Sequence, residues 1–333
     1  MEKKIRIGVI GICGFGRHHV RYTYENEKAE LAYLCDIAED DLEMYGKKYG
    51  VPTTTDYNVI VENPDIDAVI IALPDYLHAE VAIKAMRAGK HVLCEKPIAL
   101  DLDQCKEMVR VADETGKYLM VGQVCRFTPA FVKAKELVDA GEIGELFFVE
   151  GEYAHDYAHM PTDCWRTRPD RHGMIGGGCH SVDLLRWIAG DPTEVFAYSN
   201  HKMLKDWPTD DCTISVLKFP NDVIGKVFCS TGCKRPYTMR TVIYGSKGTI
   251  IMDNKHDRIN VTRVDVADGM EVLIPVELND HAADLEIDKF CDCILTNTPP
   301  DINGREGTKT VSVCVAIVKS AAEHKYVEVD YNF

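Results

Sequence analysis

The sequence predicts an α/β protein, with an N-terminal doubly wound parallel sheet and a C-terminal α+β domain that has a mostly antiparallel open sheet. Three features predict this fold. Short apolar runs alternate with helix-period segments in the first third of the chain, a glycine-rich turn follows the first run, and longer runs of alternating apolar and polar residues come later. With 333 residues the chain can form two cores, and we expect domains at residues 1–122 and 123–333.

Five apolar runs in the first third are predicted to be strands buried on both faces, as in a parallel sheet. They cover residues 5–10, 31–35, 68–73, 91–94 and 118–121. Segments with helical periodicity lie between them, at residues 17–27, 39–49, 77–88 and 101–115. Gly50, Gly89 and Gly116 follow three of these segments, where a left-handed residue commonly ends a helix. Strand–helix alternation with short connections indicates a doubly wound sheet.

The pattern changes after Gly122, where longer strand-like runs predict a sheet with one covered face. These runs cover residues 146–153, 193–200, 212–219, 223–231, 240–244, 249–253, 258–264 and 272–276. Helices are predicted at residues 129–140, 178–189 and 306–323. The exposed face of such a sheet predicts a homodimer or homotetramer.

Composition limits the function classes that the chain can serve. The formal net charge of −15 argues against a nucleic-acid partner, because phosphates would be repelled. No apolar run approaches the roughly 20 residues that span a bilayer, and the apolar start has no cleavage site, so we expect neither a membrane segment nor a signal peptide. The thirteen cysteines include no C-x-x-C pair, which predicts a cytoplasmic location and no zinc site.

A glycine-rich turn joins the first predicted strand to the first helix, with the sequence Gly11-Ile12-Cys13-Gly14-Phe15-Gly16. The dinucleotide-binding pattern is G-x-G-x-x-G, whose glycines permit a tight turn, close approach to the pyrophosphate and close helix–strand packing. Gly11 and Gly16 match the pattern. Cys13 stands at the middle position, and Gly14 can supply part of the missing freedom. The following helix presents N–H groups to phosphates, so the turn predicts a Rossmann domain.

Asp36 follows the second predicted strand, twenty residues after Gly16. At this place an acid accepts a hydrogen bond from the 2′-hydroxyl of the ribose, whereas a carboxylate would repel the 2′-phosphate of NADP. The sequence therefore predicts NAD as the cofactor and disfavours NADP.

Further segments carry a resemblance to a known family. They are residues 72–78 (ALPDYLH), 88–97 (AGKHVLCEKP), 126–129 (RFTP), 178–187 (GCHSVDLLRW) and 245–249 (GSKGT). Together with the stretch from Phe290 to Ala321, they make the chain similar over essentially its whole length to one oxidoreductase family. This is the Gfo/Idh/MocA family, of glucose–fructose oxidoreductase, inositol dehydrogenase and MocA-like proteins. The E-K-P and G-x-H-x-x-D motifs are specific for the family and not for a substrate.

The resemblance implies which residues surround the cofactor. Lys96 would lie beside the nicotinamide and the reacting hydroxyl, where its ammonium can hold the oxygen and stabilise developing negative charge. The resemblance also implies a cis bond before Pro97. Gln123 stands where Asn is frequent. The complete set of expected cofactor contacts is Gly11, Cys13, Gly14, Phe15, Gly16, Asp36, Leu73, Pro74, His78, Glu95, Lys96, Pro97 and Gln123.

His180 is the predicted general base in oxidation and acid in reduction, because the ordinary histidine pKa of about 6.5 suits proton transfer in both directions. Asp183 lies three residues on and can share a helix face, so it could orient the imidazole or bind a substrate hydroxyl. The family often has an Asp four residues before this His, and Gly176 stands there instead. Another acid therefore replaces it, or His180 works with Lys96 alone, or the reaction differs.

A segment rich in polar and aromatic side chains, residues 152–168, precedes the His180 helix and suits a small polyhydroxylated substrate. The predicted substrate contacts are Arg126, Tyr153, His155 and Trp165. A divalent metal site is the alternative for His155, Asp156, His159 and His180. We expect no metal, because the segment lacks the helical pattern that would bring His155 and His159 together.

The sequence thus predicts an NAD-dependent dehydrogenase that oxidises a secondary hydroxyl of a sugar, sugar derivative or cyclitol. Lys96 and His180 would handle the hydroxyl proton, with Asp183 in support. Two alternatives stay open. One is an NAD-dependent glycoside-processing enzyme, either an oxidation–elimination glycosidase or a glycoside 3-dehydrogenase. The other is a non-catalytic binding or sensor protein that retains the cofactor, which Cys13 and Gly176 favour.

Overall fold

The computed structural model describes residues 4–264, 271–279 and 281–333. These residues separate into two units. The N-terminal unit comprises the described residues of Met1–Gln123 and Ala283–Thr308, together with Phe333. The C-terminal unit comprises those of Val124–Ala282 and Lys309–Asn332. The boundary falls after Gln123, one residue beyond the expected position.

The N-terminal unit contains a six-stranded sheet in the order β3-β2-β1-β4-β5-β6, in which all neighbouring strands are parallel. The strands are β1 (Ile5–Ile10), β2 (Ala29–Cys35), β3 (Thr53–Thr54), β4 (Ala68–Ile71), β5 (His91–Glu95) and β6 (Leu119–Gly122). Every residue of β4 and β6 is buried, because helices cover both faces. The predicted doubly wound parallel sheet is confirmed.

Within the described residues, six α-helices lie wholly in this unit: α1 (Gly16–Glu25), α2 (Glu39–Tyr49), α3 (Tyr57–Val61), α4 (His78–Arg87), α5 (Leu102–Thr115) and α8 (Ala283–Thr296). Gly50 and Gly116 end α2 and α5 with φ angles of 68° and 64°. These are left-handed conformations that glycine adopts without steric cost, so the predicted helix ends are correct.

The helix α8 corrects the expected domain division, which placed residues 283–308 in the C-terminal domain and predicted no helix over residues 283–296. Its buried Ile287, Phe290 and Cys291 pack in the N-terminal unit. On its exposed side, Lys28 Nζ lies 2.8 Å from carboxylate oxygens of Asp288 and Asp292. Apolar burial and these ion pairs explain why the segment joins the N-terminal unit.

The C-terminal unit contains a nine-stranded open sheet in the order β14-β13-β12-β11-β7-β10-β9-β8-β15. Its strands are β7 (Leu146–Ala154), β8 (Glu194–Asn200), β9 (Cys212–Lys218), β10 (Ile224–Ser230), β11 (Thr238–Gly245), β12 (Gly248–Asp253), β13 (Arg258–Arg263), β14 (Val272–Pro275) and β15 (Val327–Glu328). Strand β10 is parallel to β7, and the other neighbours are antiparallel. The predicted mostly antiparallel sheet is confirmed.

Helices cover one face of this sheet. They are α6 (Pro129–Asp139), α7 (Cys179–Ala189) and the part of α9 (Gly304–Glu323) that follows Thr308. A π-helical turn, Met174–Gly178, leads directly into α7. In β9, Ser215 and Leu217 are buried whereas Ile214 and Val216 are about half exposed, which is the alternation of a sheet covered on one side. Within the described residues, no helix is long and apolar enough to cross a bilayer.

Candidate active site

Four strand ends of the parallel sheet bring the predicted cofactor residues into one row. Ile10 pairs with Ile71, Ile71 with Cys94, and Glu95 with Gly122. The residues that follow these strands therefore lie side by side at the carboxyl edge of the sheet: Gly11, Leu73, Lys96 and Gln123. Chain order reverses between β1 and β4, and doubly wound sheets bind their ligands at such a switch point.

The glycine-rich turn has the backbone form of a phosphate-binding loop. Gly11 has a φ of +90°, and a Cβ there would lie 2.5 Å from the carbonyl oxygen of Ala72. A Cβ on Gly16 would lie 2.1 Å from the carbonyl oxygen of Gly11, so the entry to α1 also requires glycine. Gly14 has a φ of +56° with no atom within 4 Å of a Cβ position, so the turn is open there. The turn fits a pyrophosphate.

Cys13 is tolerated in the turn because Gly14, and not Cys13, takes the left-handed conformation. The Cys13 thiol donates to Asp41 Oδ2 at 3.4 Å. Loss of hydration, followed by the charges of Asp36 and Asp41, raises the pKa of this thiol to about 12. The side chain is therefore a neutral thiol, which adds no charge near the phosphates.

Asp36 ties the second strand to the turn. Its Oδ2 accepts hydrogen bonds from the backbone N–H groups of Ile12 at 2.8 Å and Cys13 at 3.3 Å, and its Oδ1 accepts from Ala38 at 3.1 Å. A carboxylate offers about four acceptor positions, so one remains for a ribose hydroxyl. The residue both shapes the turn and fits the predicted role in selecting NAD.

His78 connects the two loops that follow β4 and β5. Its Nδ1 lies 2.8 Å from the carbonyl oxygen of Pro97 and its Nε2 lies 2.9 Å from that of Leu73. A neutral ring donates to one of these oxygens and an imidazolium donates to both. The Lys96–Pro97 peptide bond is cis, as the resemblance implied. His78 thus lies behind the loop that carries Lys96 and holds it in place.

A buried cluster of charged groups lies at the base of the Lys96 loop, and we name it the Glu95 cluster: His19, Glu95 and Glu286. His19 Nε2 lies 2.8 Å from Glu95 Oε1, and Glu95 Oε2 accepts a hydrogen bond from the Lys96 backbone N–H at 3.1 Å. Burial raises the pKa of Glu95, but the hydrogen bond and charge of His19, together with Lys96, outweigh this and lower it. Glu95 is therefore a carboxylate.

Glu286 is the unusual member of the Glu95 cluster. It is completely buried, and within the described residues neither of its carboxylate oxygens has a hydrogen-bond partner. Burial and the charge of Glu95 raise its pKa well above the ordinary value. His19 and Glu286 were not predicted from the sequence, although a lone acid on the apolar face of a helix was a usable signal.

The Glu95 cluster is also the group whose geometry could hold a metal ion. Its three ligand atoms lie within 4.8 Å of one another. Across residues 4–264, 271–279 and 281–333, no other such group of three His, Cys, Asp or Glu side chains was found, so His155, Asp156, His159 and His180 do not form one. Asp156 instead lies 3.1 Å from Lys234 Nζ.

His180 lies in the first turn of α7 and is 2% exposed. Its Nδ1 is 3.4 Å from the sulphur of Cys125, and its ring stacks on Tyr153 with a centroid distance of 6.0 Å and an angle of 16°. The ring of His281 meets it edge-on at 6.3 Å. The imidazole is thus held in one orientation by sulphur and aromatic contacts, and Cys125 and His281 were not predicted from the sequence.

Asp183 and Arg126 form a buried ion pair with each other. Arg126 donates from Nε and Nη2 to the two carboxylate oxygens of Asp183, both at 2.8 Å, and Thr310 donates to Asp183 Oδ1 at 2.9 Å. The carboxylate is completely buried. These hydrogen bonds join two side chains with other expected partners: Asp183 was expected to contact the His180 imidazole or a substrate hydroxyl, and Arg126 was expected to contact substrate. Roles for Asp183 and Arg126 at the substrate stay predictions.

Tyr153 and His155 belong to an aromatic cluster, as the sequence analysis expected of the polar and aromatic segment. The hydroxyl of Tyr153 lies 2.9 Å from that of Tyr157 and 3.3 Å from His155 Nδ1. The His155 ring also contacts that of Tyr237 at 4.7 Å. Burial, followed by the neighbouring tyrosines, raises the pKa of Tyr153 well above its ordinary value, so its phenol stays protonated.

The space beside Gly176, where the resemblance implies an aspartate, is filled by a guanidinium. A Cβ on Gly176 would lie 2.2 Å from Nη2 of Arg171, whose guanidinium fills the space. Trp165, a predicted substrate contact, lies under the same guanidinium, with a distance of 4.9 Å from Arg171 Cζ to the ring centroid. A positive group therefore occupies the position where the resemblance led us to look for an acid.

Comparison with known proteins supports the resemblance. A family model described as oxidoreductase family, NAD-binding Rossmann fold, matches residues 5–123, and the Gfo/Idh/MocA C-terminal domain matches residues 131–251. The scyllo-inositol 2-dehydrogenase (NAD(+)) of Bacillus subtilis is 26% identical over 99% of this chain and 98% of that protein. The 2,7-anhydro-N-acetylneuraminate hydratase of Escherichia coli is 26% identical over 75% of this chain and 68% of that protein.

A solved levoglucosan dehydrogenase in complex with NADH shares the fold, with a TM-score of 0.90 and 23% identity over 98% of this chain and 100% of that chain.

Proposed function

The chain belongs to the Gfo/Idh/MocA oxidoreductase family, and on this premise we propose that it is an NAD-dependent dehydrogenase of a secondary hydroxyl in a sugar, sugar derivative or cyclitol. One observation carries the proposal. The glycine-rich turn, the Leu73 loop, Lys96 and Gln123 follow neighbouring parallel strands, so a cofactor loop and an ammonium group share one edge of the sheet.

The residues that would hold NAD are those of the turn and Asp36, and when bound NAD supplies the acceptor for a hydride from the carbinol carbon. The open position at Gly14 and the remaining acceptor position of Asp36 support this assignment.

Lys96 holds the oxygen of the reacting hydroxyl in this proposal. Its backbone is fixed on both sides, because Glu95 accepts from its N–H and His78 lies against the carbonyl of Pro97. Within the described part of the N-terminal unit, no hydrogen bond or ion pair occupies its ammonium. An ammonium on a fixed loop stabilises the negative charge that develops on the oxygen as the proton leaves.

His180 accepts the hydroxyl proton at Nε2. Its Nδ1 faces the sulphur of Cys125, and a ring that donates from Nδ1 to this sulphur has its lone pair on Nε2. Stacking on Tyr153 keeps the ring orientation fixed. In the reverse direction the same nitrogen returns the proton to the carbonyl oxygen.

The test is a spectral scan of the purified protein for bound NAD(H), followed by a panel of sugars, cyclitols and glycosides. Lys96→Ala should lower kcat by about 100-fold or more while NAD stays bound. Lys47→Ala, at a lysine side chain that is 75% exposed, is the matched control and should be unchanged. A fully active Lys96→Ala variant would refute the site assignment, and NAD binding without redox change across the panel would favour the sensor alternative.

The similarity to 2,7-anhydro-N-acetylneuraminate hydratase favours a second candidate, glycoside processing without net redox change. The replacement of an expected aspartate by Gly176 and Arg171 supports a departure from the common reaction. The two candidates differ in one measurement. A dehydrogenase releases NADH in proportion to substrate, whereas the second candidate consumes a glycoside with no net NADH.

We also propose that the chain forms a homodimer or homotetramer through the uncovered face of the C-terminal sheet. Tyr198 pairs with Ile214 across β8 and β9, Val216 lies on the same face, and all three are 45–60% exposed. Exposed apolar rows of this kind mark interaction surfaces. Light scattering after gel filtration should give a mass above 37.4 kDa, and Ile214→Lys should lower that mass.

The cysteines support a reducing compartment, the cytoplasm. All thirteen are free thiols in the structure, and several are buried in the cores. Thiol titration of the protein purified under air-free conditions should give thirteen free groups.

A further inference from the structure

The glycines that precede α7 make room for side chains that surround His180. A Cβ on Gly176 would lie 2.2–2.6 Å from three atoms of the Arg171 guanidinium, and a Cβ on Gly177 would lie 2.5 Å from the ring of Tyr153. Tyr153 in turn stacks on His180. The Arg171 guanidinium thus lies against Gly176, which precedes His180 by four residues in one helical stretch.

A second guanidinium contacts the same indole ring as the first. Arg166 Cζ is 4.2 Å and Arg171 Cζ is 4.9 Å from the centroid of the Trp165 ring, so both arginines contact one indole. We name Trp165, Arg166 and Arg171 the arginine pair site. Arg171 is only 4% exposed. Contacts of this kind hold guanidinium planes in fixed orientations.

Arg166 has a buried N–H nitrogen that finds no acceptor among the described residues. Its Nη1 is buried without a hydrogen-bond partner in the described parts of the chain, and none of their carboxylates forms an ion pair with it. The neighbouring Asp170 already accepts from Nε and Nη2 of Arg168, at 3.0 and 2.7 Å. A buried N–H of a permanent cation without an acceptor is costly. An anion with a free oxygen would remove that cost.

Resting on the proposed function, we propose that the arginine pair site binds a carboxylate of the substrate, so that the enzyme acts on acidic sugars such as uronic acids and their glycosides. A planar carboxylate matches the paired N–H groups of a guanidinium better than a hydroxyl does. The Trp165 ring supplies an apolar face for the sugar. The net charge of the whole chain is negative, so the attraction for an anionic ligand has to come from this local positive site.

The experiment compares matched acidic and neutral ligands on the protein loaded with NADH. The pairs are methyl glucuronide with methyl glucoside, methyl galacturonide with methyl galactoside, and N-acetylneuraminate with its methyl ester. Binding is measured by calorimetry or saturation-transfer NMR, and kcat/KM is measured with NAD where turnover occurs. At least one acidic member should bind about tenfold or more tightly than its neutral partner.

Variants assign the preference to the site. Arg166→Gln should reduce the preference to about threefold or less, and Arg166→Lys should restore part of it, because charge returns without the planar fork. Arg171→Gln should act in the same direction. Arg168→Gln is the matched control from the same segment, because its guanidinium is occupied by Asp170, and it should leave the preference unchanged.

The outcomes separate this inference from the proposed function. Carboxylate-dependent binding that Arg166→Gln removes supports the site even where no ligand is oxidised. Oxidation of neutral polyols with no acidic member preferred in any pair overturns the site and leaves the dehydrogenase standing. Equal losses of affinity for the acidic and the neutral ligand of a pair in Arg166→Gln would also overturn the site, because the arginine would then act only through the fold.

Discussion

Each unit buries a cluster of charged side chains, and the two clusters differ in how fully their hydrogen bonds are satisfied. In the C-terminal unit, Asp183 accepts from Arg126 and Thr310, and Arg186 donates to Thr310 at 2.7 Å and to Asp191 at 2.6–2.9 Å. Two cations face two carboxylates. We name this group the Asp183 cluster.

The Glu95 cluster of the N-terminal unit has two carboxyl groups, of Glu95 and Glu286, and one imidazole. Glu286 has neither oxygen satisfied and His19 has an unpartnered Nδ1, both within the described residues. A satisfied buried network fixes a structure, whereas an unsatisfied one costs stability and is found where function requires it. Glu95 also binds the backbone of Lys96, so the difference suggests that the C-terminal cluster is an anchor and the N-terminal cluster serves the reactive loop.

The largest expected effect comes from breaking the anchor. Asp183→Ala leaves the Arg126 charge buried without its partner, since that side chain is 9% exposed, and should lower the free energy of unfolding by about 3–5 kcal/mol. Urea unfolding followed by circular dichroism measures this. Asp170→Ala is the control, because it breaks an exposed pair with Arg168 and should cost about 1 kcal/mol or less. Equal costs for the two variants would remove the distinction between anchor and surface pair.

In the Glu95 cluster, we expect a substitution to raise the free energy of unfolding and not to lower it. Glu286→Gln removes a buried acid with no partner and should raise the free energy of unfolding by about 2 kcal/mol near pH 8. The pKa of Glu286 is raised in the folded state, so the native protein has its full stability below the unfolded pKa of about 4.3 and loses it as the pH rises toward the folded pKa.

The stabilisation by Glu286→Gln should therefore be small at pH 5 and grow toward pH 8. Thermal unfolding of the variant and the native protein across this range measures the difference. A stabilisation that is constant with pH would show that the acid is not held in its neutral form by burial.

The two clusters also show what the sequence could predict. Most strands and helices of the two units followed from periodicity, because each apolar face is encoded locally, but the short β3, α3 and β15 were not predicted. The family and the NAD-binding domain followed from motifs of adjacent residues, and both are confirmed. The missed helix α8 had apolar residues at Ile287, Phe290 and Cys291, but its partner lies in the first domain, which sequence order does not reveal.

The contacts within the site could not be predicted in the same way. Asp183 and Arg126 were both singled out, yet their pairing joins residues 57 positions apart. Glu286 meets Glu95 only because the chain folds back on itself, and Arg171 fills the space at Gly176 through the local path of the loop before α7. Residue type signals that a buried charge needs a partner, and only the tertiary structure says which partner it has.

The smallest expected effect on stability concerns two buried threonines, one in each unit, and compares a matched pair of substitutions. Thr310 and Thr23 are both completely buried, and Thr23 lies one helical turn after His19 in α1. The Thr310 hydroxyl donates to Asp183 at 2.9 Å, whereas the Thr23 hydroxyl has no partner in the described residues. Replacement by Val keeps the shape and removes the hydroxyl in both cases.

Thr310→Val should therefore lower the free energy of unfolding by about 1.5 kcal/mol or more, because the hydroxyl both donates to Asp183 and accepts from Arg186. Thr23→Val should leave it unchanged or raise it slightly, because no hydrogen bond is lost and a buried polar group is removed. Chemical denaturation of the two variants under one condition gives both values. If Thr23→Val costs as much as Thr310→Val, the hydrogen bonds of the Thr310 hydroxyl do not account for its contribution, and the contrast between a satisfied and an unsatisfied buried hydroxyl disappears.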